Sequence, residues 1–333
     1  MIAIAIINYR TLDATVRCLD ALRDELPERT RIYLLDNGSG DAEAAGLRGY
    51  ASALGARARF FLGPDNLGFA GGMNVLLAQM LADTDVEQIL LLNSDTRPTA
   101  GFLSAMLARL DDSTRTDMVA ARLLDEKSGN VDSLGIALYR STLASNRKRE
   151  EDVLLGPTGG CALLTRRLLE DLHASHGEWF DERFFCYAED TDLVLRARWL
   201  GYRAAYAADA VVYHHGSLSS GGPDNDFVLY HGIRNSLWWL IKDAPVGWLL
   251  LSLPWFALLH VGICLRHLRR GHARVLWRLY RDALRGLPEM WRKRRVIRGT
   301  RRVAAREFRG WVEPRFYERD YVRRAWRELW HGA

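Results

Sequence analysis

The sequence predicts an α/β protein: a doubly wound, mostly parallel sheet followed by a helical C-terminal region that is apolar at first and then basic. Three observations predict it. Short apolar, β-rich runs alternate with helix-period segments through the first hundred residues. A polar cluster follows each of several such runs, where ligands bind an open parallel sheet. The charge is also distributed unevenly between body and tail. The size and composition suit a large core, with 333 residues of which 48% are apolar and a net charge of +5. They exclude disordered, collagen-like and disulfide-scaffold classes. Cys18, Cys161, Cys186 and Cys264 are widely spaced with no CxxC, which favours a reducing compartment over a zinc ribbon or disulfide frame.

Residues 2 to 7 (IAIAII) read as the first strand, residues 15 to 26 as a helix and residues 31 to 35 as the second strand. The opening run has no basic flank and no small-residue cleavage site, so it is expected to belong to the fold and not to a signal peptide, leaving the body in the cytoplasm. A third strand is expected at 58 to 62, a helix at 71 to 81 and a fourth strand at 88 to 92. The polar clusters that follow are Asn8-Tyr9-Arg10, Asp36-Asn37-Gly38-Ser39, the stretch from Asn66 to Asn74, and Asn93-Ser94-Asp95. Residues 96 to 243 alternate helices with short strands, and 140 to 152, polar and without periodicity, read as a mobile loop.

Residues 266 to 333 hold 21 Lys+Arg against 7 Asp+Glu, a net of +14, which leaves −9 for the first 265. Between the two lie 22 residues, Ala244 to Leu265, without a charged side chain. As a continuous helix they would span roughly 33 Å, enough for a bilayer core of about 30 Å. Pro254, Pro245, Gly247 and Gly262 weaken a straight helix, and a single span would carry a strongly basic tail outward. The expectation is therefore a monotopic or re-entrant contact, with Trp238, Trp239, Trp248 and Trp255 at headgroup level and the tail on anionic lipid. A buried core helix and a solvated basic face are the alternatives. Domain limits are expected at 1–243, 244–265 and 266–333.

Several residue groups can carry chemistry. No GxxxxGK[ST] and no GxGxxG is present. The segment NLGFAGGMN places Gly68, Gly71 and Gly72 at a helix start, where free backbone N–H groups suit a phosphate or a sugar hydroxyl, or simply a tight turn. Asp95 follows a buried-type run and the polar pair Asn93-Ser94, so it either holds a hard divalent cation or caps the next turn. Glu189, Asp190 and Asp192 crowd one helix N-terminus, as dipole partners or with one of them a general base. The adjacent His214 and His215 end a strand and point to opposite sides.

Taken in order, IINYR, LLDNGSGD, NLGFAGGMN, LLLNSDTRP, GPTGGCALLTRR, FDERFFCYAEDTDLVLRARWLGYR and VVYHHGSLSSG cover about residues 2 to 240. Together they resemble the family 2 glycosyltransferases of GT-A fold, within them the rhamnosyltransferase-like branch. The resemblance implies that Asn8, Tyr9, Arg10, Asp36 and Asn37 bind the nucleotide, with Asn66, Gly71, Asn74 and Asn93 near the donor. It makes Asp95 the member of the DxD-type motif that holds Mg²⁺ or Mn²⁺, with His214 as the metal-facing histidine. The first motif position is Asn93, so one carboxylate remains for the cation. Asp190 matches the family's base, Glu189 and Asp192 would orient the acceptor or support the loop, and Gly159, Gly160 and Cys161 would line the sugar pocket. Arg234 is a candidate for the pyrophosphate, with a structural ion pair as the alternative.

The implied reaction is a single inverting displacement. The donor is dTDP-rhamnose in the first place and UDP-galactofuranose or another UDP-sugar in the second. The acceptor is a lipid-linked or cell-envelope saccharide. Three other classes compete: an inactive GT-A-like module recruited to the membrane, a nucleotide-using enzyme with a nucleic-acid-binding arm, and a sugar nucleotidyltransferase. The intact Asp95, Asp190 and His214 set speaks against the first, and the apolar segment before the tail favours lipid over nucleic acid. The absence of a basic glycine-rich N-terminal loop speaks against the third.

Overall fold

The computed structural model describes residues 1–23, 26–216 and 225–319. The end of the histidine motif, residues 217 to 221, and the last part of the basic tail, 320 to 333, lie outside the described residues. The chain begins β1 (Ile2–Asn8), α1 (Leu12–Arg23), β2 (Thr30–Asn37), α2 (Asp41–Ala53), β3 (Ala58–Gly63), α3 (Gly68–Leu81) and β4 (Gln88–Leu92). The four strands pair in parallel in the order β3, β2, β1, β4. The apolar run of β1 is buried on both faces, as a central parallel strand requires. Ala3 and Ala5 face Met73 and Leu77 of α3, while Ile2, Ile4 and Ile6 face Leu19 and Leu22 of α1. A period of two thus divides the sequence between two layers.

Next come β5 (Thr96–Pro98), α4 (Phe102–Leu107), β6 (Thr116–Asp125), β7 (Val131–Ser133), β8 (Ile136–Tyr139), β9 (Ala144–Asn146), β10 (Cys161–Thr165), α5 (Arg166–His176), α6 (Glu189–Trp199) and β11 (Arg203–His214). The sheet continues from β4 through β10, β6 and β11 to β5, with β7 paired beside β6. Its second half is mixed where the sequence suggested parallel pairing. The strand β10 follows short strands and no crossover helix, so it runs antiparallel to both β4 and β6.

The chain ends in α7 (Asp226–Asp243), α8 (Val246–Arg269), α9 (Ala273–Thr300) and β12 (Val312–Glu313). Despite Pro254, α8 is one helix of 24 residues. Among the described residues it is the one helix long and apolar enough to cross a membrane, and only 22% of its most apolar window is buried. That exposure argues against a core helix. Its inner edge, Leu259 and Ile263, packs against Leu229, Leu276 and Leu279, while Leu250, Leu251, Leu258 and Val261 are exposed.

Two expectations need correction. Trp238, Trp239 and Trp248 do not sit at headgroup level: all three are buried in the main core. Trp238 donates to the Ala283 carbonyl at 3.1 Å, and its ring lies where a side chain on Gly286 would be, so this glycine lets α9 approach α7. Trp255 is half-buried against Phe316. Residues 140 to 152 are not a free loop, because they contain β9, and Arg147 and Asp152 are buried there. The charges that suggested a loop are met by distant partners. Arg315 pairs with Asp152, and β12 pairs with β8. Nor does the basic region stand apart, since Met290, Ile297 and Phe308 belong to the main core.

Candidate active site

A cavity of about 960 Å³ opens at the carboxyl ends of β1 and β4. Of the residues singled out in the sequence, Tyr9, Asn37, Asn66, Asn93, Asp95, Gly159, Gly160, Glu189, Asp190 and His214 line it. Local turns explain how they arrive there. After β4 the chain bends as Thr96 donates to the Asn93 carbonyl at 2.7 Å, and the Asn93 amide is tied to the Gly160 carbonyl at 3.0 Å. Asp95 therefore leaves the sheet edge facing β11. There its Oδ1 is 3.3 Å from His214 Nε2.

The other ring nitrogen of His214, Nδ1, is 2.7 Å from Asp132 on β7. Burial disfavours the charged ring, but the hydrogen bonds to Asp132 and Asp95 outweigh it and push His214 up to about 10. His215 faces the other way, toward Glu126 at 3.2 Å. Asp132 was missed in the sequence. It belongs to no motif, and its partner lies 82 residues further on.

Asp190 occupies the first turn of α6. Its Oδ2 accepts from the Gly159 amide at 3.0 Å and its Oδ1 from the Thr191 amide at 2.6 Å. Burial raises its pKa, and these hydrogen bonds offset only part of the rise. Beside it Glu189 is raised well above the ordinary carboxylate range, by burial first and then by the charge of Asp190. Asp192 behaves oppositely. It is fully buried and turned away from the cavity, held at 2.8 Å by Arg196 and 2.7 Å by Lys242. Burial would raise its pKa, but the two cations outweigh that and hold it far below the usual range.

Several expected site residues are not brought to the cavity. Asn8 is buried, bonding Asp36 at 2.9 Å and accepting from Thr15 at 2.8 Å, so it ties β1 to β2 and α1. Asp36 is equally buried and also caps the Ser39 amide at 3.1 Å. Arg10 is exposed and lies 5.2 Å from the ring of Tyr9. Gly71 packs under Leu67, whereas the glycine the site requires is Gly68, with φ 69°, where a Cβ would strike the Phe185 carbonyl. Asn74 clamps the backbone of Phe180 at 2.9 and 3.0 Å and lines a separate recess. Cys161 alternates away from Gly160 into the core beside Met106. Arg234 is buried and bonds the carbonyls of Arg183 and Phe184 at 3.2 and 3.1 Å, which satisfies it structurally and leaves it off the cavity wall.

Comparisons with known proteins agree with this fold. The chain is 32% identical over 128 residues to an N-acetylglucosaminyl-diphospho-decaprenol L-rhamnosyltransferase of Mycobacterium tuberculosis; the match covers 36% of this chain and 39% of that protein. The fold resembles that of S. aureus TarS 1–349, with a TM-score of 0.55 at 15% identity over 92% of this chain and 91% of that one. It also resembles a mannosyltransferase from Pyrobaculum calidifontis in complex with GDP-Man and Mn²⁺, with a TM-score of 0.53 at 14% identity over 90% and 85% of the two chains. The family model described as Glycosyl transferase family 2 matches residues 3–173, slightly more than half of the sequence, and the chain belongs to that family.

Proposed function

We propose that this chain is an inverting transferase that moves a hexosyl group, rhamnose in the first place, from a nucleoside-diphosphate sugar to a hydroxyl of a lipid-linked saccharide. One observation carries the proposal: Asp95, His214 and Asp190 line one cavity, the first two as a paired oxygen and nitrogen donor and the third as a carboxylate of raised pKa. The rhamnosyl donor and lipid-linked acceptor are supported by the activity for which the mycobacterial relative is named.

The residues fit a divalent cation of the Mg²⁺ or Mn²⁺ kind. Among the described residues no group of three or more His, Cys, Asp or Glu is placed to hold one, so Asp95 and His214 would share it with the phosphate oxygens of the donor. To ligate the cation His214 would give up the Nε2 proton that faces Asp95, while Asp132 holds Nδ1 and the orientation of the ring. When bound, the cation would offset the charge that builds on the departing diphosphate.

The remaining steps belong to this chain. Asp190, held by the Gly159 and Thr191 amides, takes the proton of the acceptor hydroxyl. As that oxygen bonds to the anomeric carbon, the bond from carbon to the diphosphate oxygen breaks. The proton rests on Asp190 and the electron pair leaves with the nucleotide. Burial and the neighbouring charge raise the pKa of Glu189, which disfavours a second negative charge beside the base.

The exposed leucines of α8 and the arginines of α9 suit the inner face of an anionic membrane, which would bring a lipid-linked acceptor to the cavity. A donor panel of dTDP-rhamnose, UDP-galactofuranose, UDP-glucose, UDP-GlcNAc and GDP-mannose tests the function, read by thermal shift with and without Mn²⁺ and by slow hydrolysis. The expected result is stabilisation by dTDP-rhamnose only when metal is present. No response to any donor would favour an inactive module.

A further inference from the structure

The segment before α6 has an unusual backbone. Three of the six non-glycine residues with positive φ among the described residues fall here: Phe185 at 65°, Tyr187 at 68° and Ala188 at 65°. Phe185 has ψ −65°, and the Cys186 amide donates to the Phe184 carbonyl at 2.8 Å. Together these make a γ-turn of the rarer, strained hand. Ala188, with ψ 2°, is left-handed at the N-cap of α6, two residues before Asp190. Such strain persists only where the surroundings over-determine it.

The over-determination comes mainly from two adjacent residues of α7. Asn235 Nδ2 reaches the carbonyls of Phe184, Cys186 and Tyr187 at 2.9, 2.8 and 2.7 Å. Arg234 Nη2 reaches those of Arg183 and Phe184. The remaining carbonyl, that of Phe185, accepts from the Ala70 amide in α3 at 3.0 Å. All five consecutive carbonyls from 183 to 187 are thereby held. The orientation of the Asn235 amide is fixed as well, since Arg234 Nε donates to its Oδ1 at 2.9 Å and turns Nδ2 toward the segment. Asn235 is fully buried and Arg234 nearly so, and neither touches the cavity, whereas Phe185, Tyr187 and Ala188 line it.

We propose that Asn235, oriented by Arg234, is the positioning residue for the catalytic segment: it holds the strained turn that aims Asp190 and the Phe185–Tyr187 wall into the cavity. The proposal rests on Asp190 being the base. An aspartate at 235 would keep the shape and pair with Arg234, but it would present oxygen to three carbonyls and donate to none.

The test is Asn235→Asp in the full chain, with Asn235→Ser as the neutral variant should the buried carboxylate prevent folding. Three readouts are needed: hydrogen exchange of the amides from 184 to 191, affinity for UDP and dTDP with Mn²⁺, and turnover of whichever panel donor responds. The expected result is faster exchange confined to that segment, nucleotide affinity within about 3-fold of the parent, and kcat lowered at least 100-fold. Adding Ala188→Gly, which removes one strained φ, should recover part of the loss. Unchanged exchange, or turnover within about 3-fold of the parent, would overturn the proposal. So would a loss of nucleotide affinity as large as the loss of kcat. The base assignment fails separately, through an active Asp190→Asn variant, and the exchange measurement does not depend on it.

Discussion

Two sides of the first turn of α6 carry the same chemical group under opposite electrostatics. On the cavity side, Glu189 and Asp190 have raised pKa values and, among the described residues, no cation paired with them. On the inner side, Asp192 sits with Arg196 and Lys242, and Asp181 shares Lys242 and Lys293 at 2.9 and 2.8 Å. Burial is the largest influence on all of these carboxylates and pushes each of them upward. Their fate is decided by whether counter-charges were buried with them. Two residues of separation are enough to divide a carboxylate of raised pKa from an ion-paired structural anion.

The largest expected effect breaks the cavity side. Asp190→Asn should lower transfer by roughly 10²- to 10⁴-fold, the usual contribution of a positioned base, while Mn²⁺-dependent nucleotide binding stays near normal. Near-normal turnover would remove Asp190 from the mechanism. Breaking the inner side should act on folding instead. Lys242→Met leaves Asp192 and Asp181 short of a cation and should cost about 3–5 kcal/mol in urea unfolding. A cost under about 1 kcal/mol would mean that the network adds nothing net.

A smaller effect concerns the cation. Asp132→Asn removes the anionic partner of His214 and should weaken Mn²⁺ binding by about 10- to 100-fold, read by titrating the metal against nucleotide-dependent thermal shift. The smallest is a change in the shape of a pH curve. Glu189 is raised in the folded state, so its contribution to stability is present at low pH and is lost as pH rises above the unfolded value near 4.3. Asp192 is lowered, so its contribution is present above about pH 3.9 and is lost as pH falls through its folded value. Glu189→Gln should therefore flatten the fall in stability as pH rises above about 4.3 and leave the acid limb below about pH 4 unchanged. A changed acid limb would show that the two sides are not independent.

What could be read from the sequence follows from how local each signal is. The strands β1, β2 and β4 declare themselves because a central parallel strand is apolar along most of its length, and their ends are marked by polar clusters. Asn66, Asp95, Asp190 and His214 reach the cavity wall because each lies at or next to the end of a regular element there. Asn8, Asp36 and Asp192 belong to the same motifs yet point inward, as does Arg234 beyond them, and Asn74 lines a separate recess. No short-range pattern tells which way a loop or helix-start side chain turns when its partner is far away in the chain. Asp192 is claimed by Lys242, fifty positions on, and Asn74 by the backbone of Phe180. The tryptophans were misread for a related reason, since Trp238 and Trp239 resemble an interfacial belt until α9 is placed over them.

The lysine contributed by α9 has a consequence for the order of synthesis. Lys293 neutralises Glu178 and Asp181, which leave the ribosome more than a hundred residues earlier, and Met290 and Ile297 close the core beside them. A nascent chain that has just released α6 therefore carries those carboxylates without their counter-ion, and the segment before α6 still awaits Asn235. A chain that stopped near Asp243 would lack Met290, Lys293, Ile297 and Phe308, and its core would be left unfinished.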